Sequence, residues 1–296
     1  MTDKKGGQPA ENGVRLQKYL SEQGIMSRRA AEKAMQSGQI RVNGRRAELG
    51  VRIDPDRDLI EVGGVPVAGS DDVQHVYLML NKPTGVVTTL SDDLGRKCVA
   101  DLIGDVPSRV WPVGRLDYES EGLLILTNDG ELTNMLTHPS HEIPKIYHVT
   151  LKGSIPSEEL EGLKRPMLID GYRIRPVEVR LIADRGTSTI VEMKLREGRN
   201  RQIRKMCDAC GFDVKRLRRV AIGDLELGDL PHGRWRSLSH EEIVYLKSGG
   251  TDETLRKNKA SRSRGDRSGD SVRFDSPTRS HASRYTRAGQ KKESGR

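Results

Sequence analysis

Three polar side chains stand out by type and setting. Asp117 lies in VGRLDYESEGLLILTNDGEL, between Gly114 and an extended apolar run. A carboxylate that leads into a buried strand must be paired or hydrogen-bonded, because an isolated buried charge is very costly. On spacing alone, a turn aspartate accepting backbone N–H groups fits as well as a chemical role. Tyr147 sits in the alternating run KIYHVTL, where a half-buried strand tyrosine is the default reading. Arg204, in EGRNRQIRKM, lies at the edge of an apolar helix face beside Arg199, Arg201 and Lys205, and would serve equally well as a phosphate contact. An acid, an aromatic face and a cation are thus available, but no one of the three is convincing alone.

Other chemistries are poorly served. Cys207-x-x-Cys210 is half of a zinc pattern, yet no second CxxC or HxxxH supplies further ligands. Both cysteines fall on the apolar face of a predicted helix, so core packing is expected and no metal. His138 and His141 are three apart beside Pro139, which is poor metal geometry. The chain has no Walker loop, no GxGxxG and no GxSxG.

The elements around these residues can be read from pattern. LQKYLSEQG, from Leu16, predicts a short helix ended by Gly24, and Ser27 caps a second, RRAAEKAMQSG, whose Ala30, Ala31, Ala34 and Met35 share a face. Ile40 and Val42, the hairpin signal Asn43-Gly44 and LIEV then predict short strands, completing a compact module over 14–63. A polar stretch, AGSDDVQ, separates it from a second region over 75–248. There VYLMLN, GLLILT, KIYHVTL and the stretches 173–181 and 188–195 read as strands, with the Asn128-Asp129-Gly130 turn after the second. REGRNRQIRKMCDACG reads as a helix, and Ser239 with Glu242 opens a last one as a capping box. Strands outnumber helices without alternating with them, so the expected class is α+β.

Charge placement points to a polyanion. Net charge is +9. Residues 251–296 hold 13 Lys/Arg against 6 Asp/Glu, residues 14–46 hold 8 against 2, and residues 194–219 hold 10 against 3. Three separate basic clusters are the footprint of a phosphate-rich partner. The 34% hydrophobic content is lean, and the Ser-, Gly- and Arg-rich tail 251–296, like residues 1–13, cannot bury enough surface to order itself, so both are expected to be disordered. No apolar run approaches the ~20 residues needed to cross a bilayer, no signal peptide is recognisable, and three cysteines are too few for a disulfide framework. A cytoplasmic protein without membrane association, and a monomer, is expected.

Taken together, GRLDYESEGLLILTNDG, KIYHVTL and EGRNRQIRKM closely resemble the RsuA-type family of bacterial ribosomal-RNA pseudouridine synthases. The front module, RLQKYLSEQGIMSRRAAEKAMQSGQIRVNG, resembles the S-four (alpha-L) RNA-binding domain that precedes their catalytic domain. The resemblance covers about Arg15 to Leu246, with the three blocks in the family's order. It implies a pseudouridine synthase domain with a mixed, largely antiparallel sheet and an active cleft across it. It further implies that Asp117 is the essential aspartate, that Tyr147 packs on the target base, and that Arg204 is the basic residue paired with the aspartate.

The implied reaction breaks the bond from uracil nitrogen to sugar, turns the ring and rejoins it through carbon five. It involves neither redox chemistry nor phosphoryl transfer, so no cofactor is expected. The implied partner is ribosomal RNA, with the large subunit (23S) favoured over the small (16S). The expected phosphate contacts are Arg15, Lys18, Arg28, Arg29, Lys33, Arg41 and Arg45 in the front module, and Arg115, Arg199, Arg201 and Lys205 in the catalytic part. A non-enzymatic S-four-type RNA-binding or ribosome assembly protein is the alternative; the front module and tail fit it, but it has no use for all three blocks of 75–248.

Overall fold

The structure, a computed structural model, describes residues 13–67, 74–253 and 255. The segments expected to be disordered, 1–13 and 251–296, lie outside the described residues except for Gly13, 251–253 and Leu255.

At the front, helices Leu16–Glu22 and Arg28–Gln36 share one core with short strands, joining Leu16, Leu20, Ala31 and Met35 to Ile40, Ile53 and Ile60. Local chemistry explains the geometry. The Ser27 hydroxyl accepts from the Ala30 N–H at 3.1 Å and caps the second helix. Asn43 and Gly44 both take positive φ, 52° and 76°, which lets Ile40–Val42 turn back on Arg45–Arg46 as a tight hairpin. One expectation fails in detail. Ala30 is exposed, and the buried face of the second helix is Ala31, Ala34 and Met35.

The rest of the described chain is built on a nine-stranded mixed sheet. Its main path runs Glu178–Asp184, Ser188–Leu195, Lys145–Lys152, Val214–Ile222, Glu121–Thr127, Tyr77–Lys82, Trp235–Ser237. All its pairings are antiparallel but one, Val214–Ile222 against Glu121–Thr127. Every residue of Glu121–Thr127 is buried, as a central strand covered on both faces must be. Ser188–Leu195 instead alternates, its buried members Thr189, Val191, Met193 and Leu195 facing one core.

The structure adds elements to those predicted, among them the sheet's last strand, Trp235–Ser237. Asp129 does not merely turn the chain; its carboxylate caps the helix Gly130–Thr137 through the Glu131 and Leu132 N–H groups at 2.9 and 3.0 Å. Ser157–Lys164 is a second unpredicted helix, and Val214–Ile222 an unpredicted strand. The stretch expected as one strand over 173–181 divides into Tyr172–Arg173 and Glu178–Asp184. The Gln202–Ala209 helix and the Ser239 capping box stand as expected, with Ile203, Met206 and Cys207 buried. No helix among the described residues is long and apolar enough to cross a membrane.

Candidate active site

The single parallel pairing is where the site forms. Gly122 lies opposite Arg219 with φ 105°, a region closed to L side chains. A Cβ added there would stand 2.2 Å from the Arg219 carbonyl oxygen. Glycine therefore permits the two strands to meet, and Arg219 Nε donates to the Leu123 carbonyl at 2.7 Å. The loop ahead of Gly122, residues 113–120, then forms one wall of a cavity of about 360 Å³; Tyr147, Lys145 and Arg219 form another, and residues 197–203 a third.

Asp117 sits on that loop, partly exposed to the cavity. Among the described residues no hydrogen bond or ion pair reaches its carboxylate; only its carbonyl oxygen is held, by the Ser120 N–H at 3.0 Å and by Lys82 Nζ at 3.1 Å. Lys82 is the tether of the loop. It is 0% exposed, and its ammonium also donates to the carbonyls of Pro83 (3.0 Å) and Ser120 (2.8 Å). Burial pulls this ammonium down to about 8, against the raising influence of Asp117 and Glu121, while the Arg219 charge lowers it further. Upstream, the Thr88 hydroxyl donates to the Leu116 carbonyl at 2.6 Å and accepts from its N–H at 3.3 Å. The residue before the aspartate and the three after it are thus fixed while its side chain stays open.

Tyr147 enters from Lys145–Lys152, flanked by Met193 on one neighbour and Arg219 on the other. Cross-strand neighbours lie on one face of a sheet, so Tyr147 and Arg219 project from the same face into the cavity that both line. Lys145, also in the wall, is pulled down to about 8 by burial and then by the Arg219 charge.

Arg204 departs from expectation. It does not line the cavity that holds Asp117, and no ion pair joins the two. Its Nε lies 3.6 Å from the Glu119 carboxylate, and its two terminal nitrogens donate to the Glu119 carbonyl at 3.2 Å and the Val214 carbonyl at 3.3 Å. The reason is direction. Arg204 follows Ile203 on the helix, and its side chain ends between Val214 and Glu119, in the turn that follows Asp117. Arg201 reaches the same Glu119 carboxylate at 3.1 Å.

The other expected contacts divide. Arg115, Arg199 and Arg201 line the cavity, and Arg199 lies 3.0 Å above the Tyr172 ring. Lys205 lies instead in a neighbouring hollow, bonded to Asp170. In the front module Arg15, Arg28, Arg29, Lys33, Arg41 and Arg45 are exposed, whereas Lys18 is half-buried and lies 3.7 Å from Glu22. Arg28 approaches Gly130 at the start of its helix, where a Cβ would lie 3.7 Å from the guanidinium. Cys207 is buried in the core, its thiol pushed up to about 12 by burial. Among the described residues no group of three or more His, Cys, Asp or Glu comes together as a metal site.

Sequence reasoning missed Lys82, Ser120, Lys145 and Arg219. In the sequence Lys82-Pro83 marks only the end of a strand, and Arg219 only one more charge in a basic stretch.

Comparison with known proteins locates this cleft in a family. Residues 76–209 match the RNA pseudouridylate synthase model, and residues 14–60 match the S4 domain model. The chain is 40% identical over 237 residues to ribosomal large subunit pseudouridine synthase B of Bacillus subtilis, covering 79% of this chain and 96% of that protein. It is 36% identical over 236 residues to the dual-specificity RNA pseudouridine synthase RluF of Escherichia coli K12, covering 80% and 79%. A crystal structure of a pseudouridylate synthase superposes with a TM-score of 0.57 at 29% identity, covering 79% of this chain and all of that one. With relatives this similar over 79% or more of their length, the chain belongs to the RNA pseudouridine synthases, a family of isomerases, and carries an S4 domain in front.

Proposed function

We propose that this enzyme converts one uridine of large-subunit (23S) ribosomal RNA to pseudouridine, with Asp117 as its catalytic carboxylate. The observation that carries the reading is an Asp117 carboxylate without a partner among the described residues, in a cavity walled by Tyr147 and basic side chains, on a loop whose backbone is tethered by a buried lysine. The named activity of the Bacillus subtilis relative supports ribosomal RNA as the substrate, and that of the Escherichia coli relative supports RNA.

The chemistry follows from these groups. The target base must leave its stack to reach a carboxylate in a cavity, and the Tyr147 ring offers a face to receive it. The bond from ring nitrogen one to the sugar breaks, the ring turns, and carbon five bonds to the same sugar carbon. Carbon five then loses its proton, and nitrogen one ends protonated, so atoms balance with no oxidant or other reagent. An ionised carboxylate serves as the attacking or proton-accepting group. Arg204 acts at one remove; by holding Glu119 it fixes the turn after Asp117, a positioning role. Arg115, Arg199 and Arg201 grip phosphates beside the base. Residues 14–63 hold the RNA and 75–248 carry the reaction.

Asp117→Asn tests the assignment. The change is nearly isosteric, so the variant should fold and bind 23S fragments while pseudouridine formation falls by more than a hundredfold, about 2.7 kcal/mol of barrier. A variant that keeps a larger share of its rate overturns the assignment, and wild-type conversion of 16S but not 23S fragments overturns the choice of subunit.

A further inference from the structure

Two buried polar atoms in the wall of the cavity have no partner among the described residues: Arg219 Nη2 and Ser120 Oγ. The two residues are 4% and 2% exposed, and both line the cavity with Asp117 and Tyr147. The other unpartnered buried side-chain atoms of the described residues, on Gln17, Asn81, Arg204 and Arg218, belong to residues outside that wall. A buried donor left without an acceptor is costly, and a guanidinium more so. The structural duty of Arg219 is discharged by Nε, bonded to the Leu123 carbonyl; Nη2 is surplus to it. Burial first, and then the Arg219 charge, lower both Lys82 and Lys145, as expected near a guanidinium without a neutralising anion.

The placement says what the missing acceptors are. Tyr147 and Arg219 are cross-strand neighbours. A ring resting on the Tyr147 face presents its rim to the residue alongside. The rim of uracil carries two carbonyl oxygens, at positions 2 and 4. A guanidinium has only donors, and a hydroxyl can donate, so both suit carbonyls. Cytosine, with an amino group at position 4, would set donor against donor. We propose that Arg219 and Ser120 are specificity-determining residues that select uracil, each donating to one of the two ring carbonyls. This rests on the reaction proposed for Asp117. Neither atom meets water in the free protein, so the entering ring shifts a side chain of the wall to reach them.

The test is a cycle between protein and substrate atoms. kcat/KM is measured for the wild type, Arg219→Lys and Ser120→Ala on an RNA fragment bearing uridine, 2-thiouridine or 4-thiouridine at the modified position. Sulfur is a weak acceptor, so the wild type should lose about tenfold or more on each thio substrate, the scale of a hydrogen bond to a charged group. Each variant should lose a similar factor on uridine, and then no more on the thio substrate that lacks its own carbonyl. Losses that simply multiply, for both variants on both thio substrates, overturn the proposal. Circular dichroism checks folding. Should Arg219→Lys not fold, Ser120→Ala carries the cycle, because deleting an unpartnered buried hydroxyl should not lower the melting temperature; multiplying losses there overturn the proposal equally. A wild type that forms no pseudouridine from uridine sinks the reaction itself, and this proposal with it.

Discussion

Replacing Lys82 with methionine separates the stability of the fold from the order of the acidic loop. Methionine keeps the stem that fills the site but removes three hydrogen bonds, to the carbonyls of Pro83, Asp117 and Ser120. Each bond from a charged donor contributes about 1.5–3 kcal/mol. Against that loss, the variant no longer buries an ammonium held at about 8 rather than 10.5, a relief of about 3 kcal/mol. The two effects oppose each other, so urea denaturation should report a change of only a few kcal/mol. Turnover has no such compensation, because a displacement of about 1 Å at the reacting group can cost about a hundredfold. Release of the carbon-five hydrogen from tritiated RNA at saturating substrate should fall by that order.

The same lysine sets a pH dependence of opposite sign for stability and for activity. Its folded-state value lies below its ordinary one, so between about 8 and 10.5 the unfolded chain keeps a proton that the folded chain has given up. Stability from this group therefore rises with pH through that window, and Lys145 adds to the trend. Activity should fall as pH rises through about 8, because a neutral amine has too few donors for three carbonyls. Lys145 bonds the Leu136 and Ile143 carbonyls, away from the acidic loop, so Lys145→Met should keep the alkaline fall in activity and Lys82→Met should lose it. A stable Lys82→Met variant that turns over within threefold of wild type, with the alkaline fall intact, would refute the tether.

Two further perturbations test other parts of the structure. Gly122→Ala forces a Cβ to within 2.2 Å of the Arg219 carbonyl at a φ of 105°; backbone strain alone is about 1–3 kcal/mol, so the variant should be insoluble or melt well below wild type, and an unchanged thermal melt would contradict the crossing described. Arg29 and Lys33, exposed one helical turn apart, should contact phosphates; changing both to alanine should raise KM, leave kcat near wild type and reduce the slope of log KM against log salt by about 1–2, whereas a fall in kcat at constant KM would place the front module in the chemistry.

What could be read from sequence was decided by local chemistry, and what could not was decided by distant partners. The Ser27 cap, the Asn43-Gly44 hairpin and the Ser239 box need only neighbouring residues, and all three stand where expected. Asp129 was visible as a turn former but not as a cap, since Gly130 hid the start of a helix. VKRLRRVAI looked like part of a phosphate patch, because alternating cations mask a strand whose register is set by Lys145–Lys152 and Gly122. Asp117 and Tyr147 were found through recognisable blocks, and the structure brings them to one cavity. The expected partner of Arg204 was not, because the direction of a long side chain depends on packing that no spacing encodes; it turns to Glu119. Lys82 was hidden for the same reason, since nothing beside a Lys-Pro pair announces a lysine without any exposure.

The meeting of Gly122 with Arg219 also sets an order of events during synthesis. The two residues are neighbours in the sheet, yet the whole Lys145–Lys152 strand, three helices and the Ser188–Leu195 strand are made between them. When the Asp117 loop leaves the ribosome its facing wall does not yet exist, and the Glu121–Gly122 end of its strand waits without the neighbour that Arg218 and Arg219 will supply. Closure comes only after Ile222 has emerged, so a chain interrupted anywhere before that point carries the complete acidic block and no working cleft. The isomerase is switched on by the last third of its own domain.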